Sequence, residues 1–329
     1  MKAFLHNRYG DPKEVMELRE VDTPTPESGQ VLVRVHAASV NAYDWHLIAA
    51  DPFLVRIGGM GLRKPKYPRT GADFAGVVES VGAGVTEFSV GDRVFGTVSP
   101  LHNGAFAEYA VASTKYLARM PGNASFAQAA AIPMAALTAL QGLRDVGKLR
   151  AGQKVAINGA SGGVGTYAVQ FARWLGGEVT AICSSGKVDR AKSLGADHVI
   201  DYTKEDFTRS GMRYDLILGV NGYQRLKDYR RALTPNGTYV FAGGTNKQIF
   251  QGMLRVPLMN LRSSESLLAV GEKPNAADLQ LVAGLVESGT VRSVIDRSYP
   301  FEEAPQAVAY VQEGHAAGKV IVEVRPETP

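Results

Sequence analysis

Cysteine is nearly missing from this chain. Cys183 is its one thiol in 329 residues, which excludes an intramolecular disulfide framework and a cysteine-built structural zinc site. Long apolar runs are missing too. No stretch reaches the roughly 18 apolar residues a membrane-spanning helix needs, and residues 1–20 carry charges throughout, unlike a secretory signal. Runs of one charge are also absent. Lys and Arg number 36 against 32 Asp and Glu, a formal net charge of +4, scattered as on a solvated surface with some attraction for an anionic small molecule. These absences predict a soluble cytoplasmic protein with neither nucleic acid nor membrane as partner. Hydrophobic residues at 45% and charged residues at 21% are ordinary globular usage, and the length suggests two domains at about 150 residues each.

Glycine is plentiful at 36 residues, and it punctuates the first third of the chain without a solenoid period. The β-branched run 31–35, then 75–81 and 93–98, read as short strands bounded by turns, a small β-rich barrel or sandwich. The pattern changes near Pro121. Ser125 and Gln128 have capping-box spacing, and the alanine-rich stretch 127–143 reads as helix. Strand candidates at 155–157, 179–183, 199–200, 215–220 and 238–242 then alternate with helix candidates at 164–175, 189–194 and 223–233. Such alternation predicts βαβ units and a parallel sheet. A helix at 276–288 and a strand at 319–324 follow, and the last strand is placed to return to the first domain.

The strongest local signal is the segment 154–165. An apolar strand leads into a glycine cluster that opens a helix, and Ala160-x-Gly162-x-x-Gly165 is the dinucleotide-binding fingerprint with alanine first. A tight turn needs small residues, Gly162 lets backbone approach a diphosphate, and Gly165 lets helix and strand pack closely. The helix N-terminus adds free N–H groups and a partial positive charge. The second strand of such a unit selects the cofactor. NAD sites place an acid at its end, whereas this strand runs into Cys183, Ser184, Ser185, Gly186 and Lys187. Hydroxyls and a lysine suit a 2′-phosphate, which predicts NADP(H).

Beyond these signals, nearly the whole chain resembles the medium-chain dehydrogenase/reductase superfamily, in its zinc-free quinone oxidoreductase branch. The resemblance is carried in order by segments 33–41, 71–78, 90–96, 104–109, 136–140, the glycine loop, 194–197 and 318–320. It implies a Rossmann doubly wound parallel sheet at 126–270, inserted into a GroES-like β-rich catalytic domain made from 1–125 plus 271–329. It also implies a homodimer. Zinc-dependent members carry a catalytic Cys, a Gly-His-Glu motif and a later Cys. Here those regions hold Asn41–Asp44, Gly71-Ala72-Asp73 and no thiol, so tetrahedral zinc lacks its ligands. The six histidines show no metal-ligand spacing, and His6, His36, His102, His198 and His315 read as structural or surface residues.

Loss of zinc shifts the expected chemistry toward acceptors that are already electrophilic. A quinone or α,β-unsaturated carbonyl takes hydride without a Lewis acid, because the incoming charge delocalises onto oxygen. The resemblance makes Asn41 and Asp44 nicotinamide-side or substrate-pocket residues. His46 stands where the family has tyrosine, and it either supplies a proton or merely lines the site. Tyr43 is a rival for that role. Thr138 resembles the threonine that contacts cofactor near the nicotinamide. Ser184, Lys187 and Tyr202, with Cys183 at the strand end, match 2′-phosphate contacts. Ser161, Gly163 and Val164 complete the glycine loop. Val220 and Asn221 end one strand, and Ala242, Gly243 and Gly244 end the next. Leu268 and Lys319 would bring the late segments to the nicotinamide.

The stretch 250–261 either shapes the pocket or forms a core or dimer face, and loops 51–66 and 250–268 set the substrate's shape. Two readings of function remain at this point. One is a zinc-independent, NADPH-dependent reductase of quinones or enones. The other is an NADPH-binding redox sensor or structural protein with little catalysis.

Overall fold

The computed structural model describes residues 1–98, 104–243 and 265–325. The chain divides into two compact units, Met1–Met134 with Pro274–Pro329, and Ala135–Lys273. The first unit opens with β1 (Lys2–His6) paired antiparallel to β2 (Met16–Glu20). Its axis is β3 (Gln30–Val40), eleven residues long and long enough for two partners to share one edge. Opposite that edge runs β4 (Asp73–Val81), which in turn pairs with β5 (Arg93–Thr97). β6 (Tyr109–Ser113) takes residues 30–34 of β3, and β7 (Leu117–Arg119) closes onto β5. Val31, Val33 and Val35 are fully buried along β3 and pack with Phe74, Val94 and Phe106.

The expected helix at 127–143 is broken. Ser125 caps a short helix Phe126–Ala130, and a second helix, Pro133–Gln141, starts afresh. Pro133 has no N–H to continue the first helix and disfavours helical geometry at the residue before it. The short helix packs on β3, β4 and β5, so the boundary between units falls after Met134 and not at the expected residue 125.

The second unit is a six-stranded, all-parallel sheet built from β8 (Lys154–Asn158), β9 (Glu178–Cys183), β10 (His198–Asp201), β11 (Tyr214–Gly219), β12 (Leu233–Phe241) and β13 (Ser266–Ala269). Their spatial order is β10-β9-β8-β11-β12-β13, and the order reverses between β8 and β11, where ligands bind in doubly wound sheets. Tyr214, Tyr229, Tyr239 and Phe207 form the aromatic part of its core. The helix expected at 223–233 is confined to Leu226–Arg231. Residues 223 and 224 instead turn their N–H groups onto the Tyr229 hydroxyl.

The chain then returns to the first unit. The helix Ala276–Glu287 precedes β14 (Ile295–Pro300), the helix Ala304–Gln312 and β15 (Lys319–Glu323). β15 pairs antiparallel with residues 37–40 of β3, beside the stretch that β6 occupies. It is launched by Gly318, whose φ of +145° leaves an added Cβ only 2.5 Å from the Val294 carbonyl oxygen. Gly318→Ala is therefore expected to lower stability by roughly 1–3 kcal/mol, read as a lower midpoint in urea unfolding; an unchanged midpoint would show that the β15 launch tolerates a side chain.

Candidate active site

In the second unit, β8 ends at Asn158 and the chain turns left-handed at Gly159, where φ is +92° and a Cβ would stand 3.0 Å from the Asn221 nitrogen. The helix Gly163–Trp174 follows at once. A Cβ on Gly165 would meet the Gly159 carbonyl oxygen at 2.0 Å, so glycine here lets the helix lie directly on the turn. Gly162 serves differently. Its φ is an ordinary −79°, and the nearest described atom to an added Cβ is the Gly159 oxygen at 3.8 Å. Glycine at 162 thus leaves space open rather than relieving a clash. No described side chain caps the helix, so the N–H groups of Gly163, Val164 and Gly165 lack intrahelical acceptors beside the open space at Gly162. That arrangement suits a diphosphate. The tight-turn role read onto Ala160 belongs to Gly159, while Ala160 is buried with its N–H on the Ile182 carbonyl at 3.1 Å.

The neighbouring strand ends are tied to this turn. The Asn158 carbonyl accepts the N–H groups of Val220 at 2.9 Å and Asn221 at 3.3 Å. The Gly219 carbonyl accepts those of Ala242 at 2.9 Å and Gly243 at 3.3 Å. Val220, Asn221, Ala242 and Gly243 therefore gather at the carboxyl edge with the glycine turn. Sequence reasoning missed two residues that hold this edge. Asn158 Nδ2 donates to the Tyr229 hydroxyl at 2.7 Å, and that hydroxyl also receives the Tyr223 N–H at 3.2 Å. A polar residue closing an apolar strand was the available signal for Asn158. Leu268 lies within β13 opposite Val240, partly exposed. Thr138 is buried on the helix Pro133–Gln141. Gly244, the stretch 250–261 and His102 lie outside the described residues.

At the ends of β9 and β10 the expected 2′-phosphate residues meet an unexpected acid. Cys183 is buried, and burial pushes its thiol up. Tyr202 sits about half exposed, its N–H on the Cys183 carbonyl at 3.1 Å. Ser184 precedes the short turn Ser185–Lys187. Asp201 is in register with Cys183 across the sheet. Its carboxylate accepts the Ser185 hydroxyl, the Thr203 hydroxyl at 2.7 Å and the Thr203 N–H at 3.0 Å. Hydrogen bonding by Ser185 and Thr203 holds the Asp201 carboxyl down at about 2. An acid does stand at this edge, but its oxygens are already occupied and Lys204 lies 3.5 Å away.

In the first unit, three strand ends assemble a buried polar network. Asp73 begins β4, Asn41 follows β3, and Lys319 begins β15; the β15–β3–β4 register sets them side by side. Lys319 Nζ donates to the Asn41 carboxamide oxygen at 2.5 Å and the Val40 carbonyl at 3.3 Å. Asn41 Nδ2 donates to Asp73 Oδ2 at 2.9 Å, which also receives the Met134 N–H at 3.0 Å. Asp44 Oδ2 takes the Asn41 backbone N–H at 2.7 Å, securing the start of the helix Ala42–Ala49. All four side chains are buried. Burial pushes Asp44 up to about 7, with the Asp73 charge adding to it. It raises Asp73 as well, against the pull of Lys319, and lowers the Lys319 ammonium. Asn41 and Asp44 were expected as site residues and Lys319 as a cofactor contact, whereas Asp73 was missed. The ammonium of Lys319 is spent inside the unit.

His46 stacks on Trp45, with ring centroids 3.6 Å apart, and its Nδ1 donates to the Asp51 carbonyl. Burial lowers its pKa, so at neutral pH the ring is uncharged and Nε2 carries a lone pair, an acceptor rather than a proton donor. Tyr43 is half-buried on the same helix. Three other histidines have structural placements. His6 Nδ1 meets the Pro68 carbonyl at 3.0 Å, His36 stacks on Phe126 at 4.1 Å, and His198 lies 3.0 Å from Glu178.

A β-rich unit made from both ends of the chain, and a parallel sheet with a glycine cradle at its switch point, define a nucleotide-dependent oxidoreductase. Residues 27–122 match the alcohol dehydrogenase GroES-like domain and residues 194–322 the zinc-binding dehydrogenase family. The chain is 35% identical over 335 residues to the chloroplast envelope quinone oxidoreductase homolog of Arabidopsis thaliana, covering 98% of each. It is 32% identical to the 2-methylene-furan-3-one reductase of Solanum lycopersicum, over 99% of this chain and 80% of that one. The quinone oxidoreductase structure from Coxiella burnetii superposes with a TM-score of 0.87 at 30% identity, covering 99% of both. The chain belongs to the medium-chain dehydrogenase/reductase superfamily, among its quinone oxidoreductase homologues, and is an oxidoreductase of the nicotinamide-nucleotide type.

The two loop glycines separate packing from binding. Gly165→Ala is expected to lower the melting temperature, because the added methyl meets backbone. Gly162→Ala is expected to melt with the wild type but to bind nicotinamide nucleotide at least about tenfold more weakly, ~1.4 kcal/mol. Thermal melts and fluorescence titration read the two effects, and a Gly162→Ala protein of unchanged affinity would deny the cradle its role.

Proposed function

We propose that this protein transfers hydride from NADPH to a quinone or an α,β-unsaturated carbonyl without a metal. The observation that carries the reading is the glycine cradle at the β8 edge, with Ser184, Lys187 and Tyr202 at the ends of the next two strands. Lys187 and Tyr202 are the residues to hold a 2′-phosphate. Asp201, the acid that would repel one, already has its oxygens bonded to Ser185 and Thr203. The names of the relatives, a quinone oxidoreductase homolog and a furanone reductase, support the acceptor class.

Zinc finds poor support in the donor chemistry. Among the described residues no three His, Cys, Asp or Glu side chains are grouped to hold a metal ion. The buried carboxyls Asp44 and Asp73 have the Lys319 ammonium as their third partner, a cation where a metal would need a donor. The acceptor must then be electrophilic by itself.

NADPH supplies the hydride when bound. The chain's part is to seat the diphosphate on the helix N-terminus and to fix Asn41 and Asp44. His46 offers Nε2 as a hydrogen-bond acceptor, so the proton that completes reduction comes from a group other than neutral His46.

Mixing the protein with NADPH and a panel of small quinones and enones, while following loss of nicotinamide absorbance, tests the reading. Tight NADPH binding with no turnover across the panel would favour a sensor. Lys187→Ala is expected to weaken NADPH by roughly 1.5–3 kcal/mol, the scale of a charge-assisted hydrogen bond, with NADH affinity little changed. Equal losses for the two nucleotides would remove Lys187 from the phosphate site.

A further inference from the structure

The network at the ends of β15, β3 and β4 has a composition that simple packing does not explain. It holds two carboxyls, one carboxamide and one ammonium, all sealed from water. Oδ1 of Asp44 and Oδ1 of Asp73 are buried with no hydrogen bond of ordinary geometry among the described residues, although the Ala72 N–H acts on the Asp44 carboxyl and the Thr97 hydroxyl on the Asp73 carboxyl, both too weakly to offset burial. Fully ionised, the group would carry one uncompensated negative charge in a medium that penalises it heavily. One proton on the carboxyl pair cancels that charge. The Asn41 carboxamide, meanwhile, has a unique orientation. Its oxygen faces a cation and its NH2 faces an anion, so rotating it by half a turn would put like against like on both sides.

We infer that Asp73 and Lys319 are positioning residues: they lock the Asn41 carboxamide in one orientation, and Asp73 shares a single proton with Asp44. The inference rests on the reading of Asn41 as a residue of the reactive site, but its proton part does not. Asp44, on the helix Ala42–Ala49, is faced by Asp73 from β4 and Lys319 from β15, while His46, two residues further on, lies on another side of the same helix. The shared proton belongs to the pair rather than to either carboxyl. Burial holds it there, and the Asp44 value of about 7 agrees. A carboxyl raised on folding binds its proton more tightly folded than unfolded. Stability therefore falls as pH climbs from the ordinary carboxylate range toward 7, and levels off above.

The test has two arms, run on the full chain. In the first, melting temperature is followed from pH 4 to 8. The wild type is expected to lose more than about 4 °C between pH 4 and 7 and little above. Asp73→Asn is expected to flatten the slope, because Lys319 then faces one carboxylate alone. Lys319→Met is expected to steepen it. Parallel curves for wild type and Asp73→Asn would overturn the shared proton. In the second arm, Asn41→Ala, Asp73→Asn and the double variant are compared in the NADPH–quinone assay. Each single change is expected to lower kcat roughly tenfold or more with KM for NADPH nearly unchanged. The double is expected to be no worse than the poorer single, because Asp73 acts through Asn41. Losses that multiply would overturn the positioning role. Should the wild type turn over no nucleotide at all, the reactive-site reading fails by itself, and the same three variants in urea unfolding then measure whether Asn41 and Asp73 couple.

Discussion

A lysine sealed against an asparagine ties the two ends of this chain together. Lys319 begins the last strand and Asn41 follows the third, yet their contact at 2.5 Å lies in a fully buried setting. An ammonium out of water is destabilising unless anionic partners surround it. Here the nearby Asp73 and Asp44 charges oppose the desolvation. The pairing of β15 with β3 and of β3 with β4 supplies all of them at one end of the sheet. The excursion into the second unit, some 140 residues by the division at Ala135 and Lys273, therefore ends with a strand whose first residue has a single electrostatic partner set. A slip of β15 by one residue would turn Lys319 to the opposite face and leave a carboxyl pair buried without its cation. Register and charge enforce each other.

The second unit relies on close approach rather than charge. Gly165 brings a helix onto a turn that any side chain would push away, and the open space at Gly162 then lies at a helix start that no side chain caps. Leaving room at the helix start and packing the helix on the turn are here two consequences of missing methyls, at Gly162 and Gly165. Tyr229 secures the same edge from below, because its hydroxyl gathers the Asn158 carboxamide and two backbone N–H groups from the β11 loop. That loop would otherwise continue as the helix its sequence suggests.

Much of this was legible in the residues, for identifiable reasons. The β-branched run 31–35 marks β3, and the alternation of short apolar strands with helices marks β8, β9 and β11, since period and composition are local properties. The glycine fingerprint gave the cradle to within one residue, with Gly159 taking the turn read onto Ala160. Helix 127–143 failed because propensity was summed across Pro133, whose effect is local and decisive. Asp73 was passed over because its importance comes from β4 lying beside β3, a distance of 32 residues along the chain from Asn41. Lys319 was recognised as special but assigned outward, since a lysine in a sequence gives no sign that its charge is consumed internally. His46 shows the same limit. Its type allows both proton donor and acceptor, and only the Asp51 carbonyl on Nδ1 selects between them.

Asp201 extends the point from position to meaning. Sequence logic scans the end of β9 for an acid, because that strand lies nearest a ribose in the dinucleotide motif. The acid stands one strand further out, in register with Cys183, and hydrogen bonding keeps it charged down to about 2. A permanent carboxylate would oppose a phosphate if its oxygens pointed free. Two hydroxyls and a backbone N–H instead absorb them, and Lys204 lies within ion-pair distance. Those bonds do structural work, fixing the turn Ser185–Lys187 to the loop after β10. What this edge offers a nucleotide is therefore set less by the presence of an acid than by how completely its neighbours have already used it.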